Sequence, residues 1–171
     1  REGQDHICDE GKIRIISSID TKEWESVILL RWDNGDLRDA KFSITEDGQL
    51  MLNSAVRFIE PIDGKRHQSL TWFSSNGKNW SEAFACPTGL GTWRWSTTWF
   101  ENTAYSFAYT GKDKEGCLYS SKDGKTWQVL KNDVYPNDAK TKGNETSLLF
   151  LEKGKAFCLL RRDGGDYTTM L

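Results

Sequence analysis

The chain has 171 residues, 23 of them Lys or Arg and 25 Asp or Glu, for a formal net charge of −2. With both signs interspersed there is no basic stripe, so neither nucleic acid nor an acidic membrane surface is expected as the main partner. No apolar run approaches the ~20 residues of a membrane span, and the length suits about one ordinary domain with its own core.

Residues 1–10 read as the end of a strand and a polar loop. Ile13–Ser17 alternates and is β-branched, which predicts a strand, and Ser26–Leu30 predicts another. Trp32–Asp36 is a loop. Lys41–Thr45 and Gln49–Asn53 flank Asp47-Gly48 and predict a hairpin, with Ala55–Ile59 extending it or starting a loop. Ser69–Phe73 is a third strand of that unit and Trp80–Ala85 a fourth. The pattern then repeats. Trp95–Phe100 and Ala104–Tyr109 form a hairpin around Glu101-Asn102, Gly116–Ser120 is the third strand and Trp127–Leu130 the fourth. Thr146–Leu151 and Lys155–Leu160 form a last hairpin around Glu152–Gly154. No helix is predicted.

Between the third and fourth strands of each unit lies a repeated turn. Its best copy is Ser121–Trp127, its second Ser74–Trp80, and its most worn copy Ser18–Trp24. In all three a Ser stands six residues before the Trp and an Asp or Asn four before it. The Asx side chain is expected to bond its own backbone, and the Trp to fill the space under the turn. A recurrence at roughly 50 residues points to stacked or radial repeats. Each unit therefore reads as a four-stranded antiparallel blade, and radial packing of blades gives a β-propeller. The expected class is all-β, a partial propeller: a half blade at 1–35, blades at 36–90 and 91–137, and a half blade at 138–171. Such an arc leaves open edges, which further chain or a second copy is expected to cover.

Cys8, Cys86, Cys117 and Cys158 show no C-x-x-C spacing, which argues against a zinc site. Cys158 lies in an apolar run and reads as core. The Asp-rich turns lack EF-hand spacing, so Ser121, Asp123 and Trp127 read as structural, and no cofactor is expected. The chain begins at Arg1 and stops at Leu171 soon after a predicted strand. Both ends read as cut, and targeting is left unread.

The repeated turn is similar to the Asp-box of sialidases and related propellers. The segment Asn144–Arg161 resembles the sialidase hairpin that starts on a catalytic glutamate and ends on an arginine. Arg1–His6 resembles the loop with the acid/base aspartate. Arg38–Ile44 is similar to the family's Asp-Pro segment, with Ala40 where proline is common. The resemblance implies a hydrolase that cleaves terminal sialic acid or a similar acidic sugar from glycans, in a secreted or periplasmic setting. It implies Glu145 as the base that activates a tyrosine nucleophile, Asp5 as the acid, and Arg161 as one arginine on the substrate carboxylate. Arg1, Asp39 and Arg94 are further substrate-binding candidates. The nucleophile and two more arginines are expected outside residues 1–171.

The chemistry suits those residue types. Arginine offers a charged bidentate fork to a carboxylate. Sialidases depart from the two-carboxylate scheme by using Tyr, which needs a neighbouring base. Plainer readings stand beside these. Glu145 reads equally as a solvated loop residue. Arg161 has Arg162 beside it on the opposite face. Asp5 competes with Asp9 and Glu2, and His6 reads as a solvated loop histidine. Asp39 reads also as a bond to the strand backbone. Trp93-Arg94-Trp95 offers aromatic faces to a sugar or packs as a Trp pair with a stacked Arg. The rival function is a non-catalytic propeller segment that binds glycan or protein.

Overall fold

The computed structural model of the protein describes residues 1–110, 116–135 and 142–163. It is all-β and antiparallel. The strands are β1 (Ile13–Ser17), β2 (Glu25–Leu30), β3 (Gly35–Ile44), β4 (Leu50–Ile62), β5 (Lys65–Ser74), β6 (Thr92–Phe100), β7 (Thr103–Thr110), β8 (Gly116–Ser121), β9 (Gln128–Lys131), β10 (Gly143–Phe150) and β11 (Ala156–Arg162). Single 3-10 turns at Pro87–Gly89 and Glu152–Gly154 are the helical elements among the described residues. The strands form four meanders, β1-β2, β3-β4-β5, β6-β7-β8-β9 and β10-β11.

Consecutive sheets pack on each other, with a core at each junction. Ile13, Ile15 and Leu30 meet Leu37, Leu52, Val56, Leu70 and Trp72 between the first two sheets. Met51, Phe73 and Cys86 meet Ala104, Ala108, Tyr119 and Trp127 between the second and third. Phe107 and Tyr135 meet Leu148 between the third and fourth. Strand β4 shows why a continuous apolar run is needed in the middle. Its side chains alternate between two buried faces, so Leu52 and Val56 join one core while Met51 joins the next. The end sheets are covered less. Leu149, Phe157 and Leu159 on the last sheet are exposed, Leu159 at 79%.

The three repeated turns share one hydrogen-bond scheme. Asp123 Oδ1 accepts the N–H of Lys125 at 2.8 Å and of Thr126 at 2.7 Å, and Ser121 Oγ accepts that of Gly124 at 2.8 Å. Asn76 and Ser74 repeat this for Lys78, Asn79 and Gly77, and Asp20 and Ser18 for Lys22, Glu23 and Thr21. The fourth turn position has positive φ in all three, at Gly124, Gly77 and Thr21. The indole N–H of Trp127 and of Trp80 closes the turn on the carbonyl of that glycine.

Several details differ from the sequence reading. The second sheet has three strands, because Trp80–Ala85 makes only a bridge between Phe84 and Thr71. There the Ser81 hydroxyl takes the N–H of Phe73, and the Phe73 carbonyl accepts the N–H of Ser81, so ladder pairing gives way to local bonds. Strand β3 begins earlier than expected, at Gly35 inside the predicted loop, and β4 runs on to a second tight turn at Asp63-Gly64, from which β5 returns. Trp127 is 2% exposed, but Trp24 is 56% exposed, since among the described residues no further sheet covers its turn. Cys158 is exposed on β11 and not in the core.

Candidate functional site

Strands β3, β6 and β10 each carry an irregularity near their beginning. The register slips between Arg38 and Lys41, between Arg94 and Thr97, and between Gly143 and Thr146. A bulge re-aims the side chains it carries, which here are Asp39, Trp95 and Glu145. Each bulge is held by a side chain bonded to its backbone. Ser54 on β4 donates to the Arg38 carbonyl at 2.5 Å, and Ser106 on β7 donates to the Ser96 carbonyl at 2.7 Å. Asn144 Oδ1 accepts the N–H of Glu145 at 2.6 Å, while its amide donates to Asp163 at 2.7 Å. The sheets are tied together at the same level. Asn53 donates to the Trp95 carbonyl at 3.0 Å, and Ser96 to the Thr146 carbonyl at 3.4 Å. Asp39 sits at φ +54, a left-handed conformation that Asp adopts more readily than most non-glycine residues.

The bulges gather charge on one rim. Arg161 donates through Nη1 to Glu145 Oε1 at 2.6 Å and through Nε to Asp163 at 3.0 Å. Lys41 Nζ lies 3.2 Å from the centroid of the Trp95 ring and donates to the Asp39 carbonyl at 3.2 Å. Burial pulls the Lys41 ammonium below its ordinary value, against the charges of Asp39 and Glu145. Burial, then Glu145 and Asp39, push the Tyr109 phenol far above its ordinary value. Tyr109 is therefore a neutral hydroxyl at this rim. Arg38 stacks near Trp93, 5.7 Å from its centroid, and donates to His6 Nε2 at 2.9 Å, which makes that nitrogen the acceptor.

Of the residues singled out from the sequence, Glu145, Arg161 and Asp39 come together here. Asp5 lies on the exposed N-terminal loop, where its main-chain carbonyl accepts from Arg1 at 2.9 Å. Arg1 is turned to Asp36, a fully buried carboxylate 2.6 Å away. Arg94 is 2% exposed, with its guanidinium over the Trp127 ring at 4.7 Å. Burial pulls it down to about 10. It takes the packed role, because the bulge at Trp95-Ser96 changes which face each side chain meets. Lys41, Arg38 and Tyr109 were not singled out. Their signal was position: Arg38 and Lys41 bracket the slip in β3, and Tyr109 stands opposite Trp93 in register. Two cavities, of about 560 Å³ around Gly3, Cys8 and Asp9 and about 320 Å³ around Asp47, Trp99 and Lys125, do not include Glu145 or Arg161. No group of His, Cys, Asp and Glu among the described residues is arranged to hold a metal.

No family model matches the chain, and no curated protein does. Its fold is similar to the crystal structure of a protein of unknown function from Dyadobacter fermentans DSM 18053, with a TM-score of 0.79 and 18% identity. The match covers 96% of this chain and 55% of that one, so the chain spans about half the length of that protein. The likeness is one of fold.

Proposed function

We propose that this chain is an arc of a β-propeller belonging to a glycoside hydrolase of the sialidase type, acting on terminal sialic acid or a similar acidic sugar. The observation that carries the reading is the Glu145–Arg161 pair, sixteen residues apart and 2.6 Å in contact, on the rim that Asp39 shares. The sheets are the blades, and β3, β6 and β10 the strands nearest the hub. The exposed Leu149, Phe157 and Leu159 support a further blade against the last sheet, from more chain or from a second copy.

In this reading the leaving oxygen takes a proton from a carboxylic acid, for which Asp5 is the candidate. A tyrosine attacks the sugar, and Glu145 takes its proton. Arg161 sits where it steers both Glu145 and the acidic group of the substrate. The nucleophile and the remaining arginines come from the part of the ring that this chain does not contribute. The test is hydrolysis of a fluorogenic sialoside by the full protein. Turnover that Glu145→Gln abolishes is expected, and a folded protein without turnover removes the reading.

A second reading has its own support. Arg161 is already engaged by two carboxylates, and Asp5 is held through its main chain. A propeller segment that binds glycan without cleaving it fits those contacts. Glycan-array binding without turnover, unchanged by Glu145→Gln, is the result that would favour it.

A further inference from the structure

The expected cations of the rim are committed to acids of the chain itself. Arg161 contacts Glu145 and Asp163, and Arg1 contacts Asp36. Arg94 is buried under a different part of the fold. Lys41 differs from all three. Among the described residues no carboxylate forms an ion pair with it. Among the described residues its ammonium, with three donors, donates to one carbonyl, that of Asp39.

Lys41 is also held ready. The ammonium rests on the Trp95 ring at 3.2 Å, a cation–π contact between two adjacent sheets. A lysine seated in advance loses less side-chain freedom when a ligand arrives. It is half-buried, so its charge is less screened than that of a surface lysine. Asp39 and Glu145 lie within electrostatic reach, which helps keep it protonated and places it beside the proposed base.

We propose that Lys41, seated on Trp95, is the group that binds the acidic function of the ligand at this rim, and that it, more than Arg161, separates an acidic sugar from a neutral one. The class of ligand, a sugar carrying a carboxylate, rests on the glycoside hydrolase reading. The placement of a free cation among Asp39, Trp95 and Glu145 does not.

The experiment titrates the full protein with N-acetylneuraminic acid and with its methyl ester, which keeps the sugar and removes the charge. Wild type, Lys41→Met and Lys41→Arg are compared by calorimetry, with sialoside turnover measured on each and folding checked by circular dichroism. Lys41→Met is expected to bind the acid about tenfold more weakly, one charged contact being worth that much, with the ester unaffected. Lys41→Arg is expected to keep most of the affinity for the acid. Should Lys41→Met unfold, Lys41→Gln carries the same comparison. Unchanged acid binding in Lys41→Met overturns the proposal, as does equal loss for acid and ester, which would make Lys41 a support for Trp95. Turnover with an unaltered KM in Lys41→Met overturns it while the hydrolase reading survives. Acid binding lost in Lys41→Met without turnover in any form supports it and removes the hydrolase reading. Absence of acid binding in wild type overturns it.

Discussion

Asp123 and Asn76 do the same work in successive turns. The Oδ1 of Asp123 accepts the N–H of Thr126 at 2.7 Å, and that of Asn76 accepts the N–H of Asn79 at 2.8 Å. Only one of the two titrates. Burial pushes the Asp123 carboxyl up, but the N–H groups of Thr126 and Lys125 and the Ser121 hydroxyl outweigh it and hold the group below the usual carboxylate range. A carboxyl lowered on folding stabilises the protein above its unfolded pKa, about 3.9, and loses that contribution as pH falls through the folded value. Asp20 and Asp47 are lowered too, by their own turn bonds. The melting temperature is therefore expected to fall as pH drops from about 5 toward 2. Asp123→Asn is expected to keep the turn, as Asn76 does, and to flatten that fall. Thermal melts from pH 7 to pH 2 check it. An unchanged slope in the variant would remove Asp123 from the acid response.

Gly124 and Gly77 occupy one position with different surroundings. Both have positive φ, +68 and +72. A Cβ on Gly124 would stand 2.9 Å from Phe73 Cζ and 3.0 Å from Met51 Sδ, whereas on Gly77 the nearest atom is Leu50 Cδ1 at 3.6 Å. Alanine costs about 1 kcal/mol in backbone strain at either site. At Gly124 crowding adds about 1–3 kcal/mol. Denaturant unfolding should rank Gly124→Ala well below Gly77→Ala. Equal losses would mean that the third sheet's turn is free to move away from the second sheet.

Ser54 holds the bulge that carries Asp39. Its side chain is buried at 1% exposure and donates to the Arg38 carbonyl. Ser54→Ala leaves that carbonyl short of a donor and is expected to cost about 1–2 kcal/mol. Because Asp39 follows Arg38 directly, ligand affinity at the rim should fall along with stability. Urea midpoints and ligand titration report the two effects separately.

Glu145→Gln should separate function from stability. Arg161 is 54% exposed on its side chain, and an ion pair that solvent screens adds little to stability. The melting temperature should therefore change little. On the hydrolase reading proposed above, loss of a proton acceptor should lower kcat by about 10²–10⁴-fold. A large drop in melting temperature with kcat intact would make the pair a strut of the β10-β11 hairpin.

Much of the fold was legible because its causes are local. The alternation of Ile13–Ser17, the Asp47-Gly48 corner and the three Ser/Asx/Trp turns each rest on residues within a few positions of one another. The hairpin that joins Glu145 to Arg161 followed for the same reason, since a tight turn brings its two ends together. What was missed involves bulges or neighbouring sheets. The slip between Arg38 and Lys41 interrupts the alternation, so β3 looked shorter than it is. The same kind of slip at Trp95-Ser96 left open whether Arg94 met solvent or core.

The residue order alone determined the all-β antiparallel character, the repeated turns and the hairpin whose ends carry Glu145 and Arg161. Hydrogen bonds that close within a turn or a hairpin depend on little else. Tertiary structure decided which copy of the turn buries its Trp, where Arg94 lies, that Cys158 is exposed, and that Lys41 comes to rest on Trp95. Those outcomes depend on which sheet covers which face. A two-residue period marks the two faces of a strand without saying what will be packed against either.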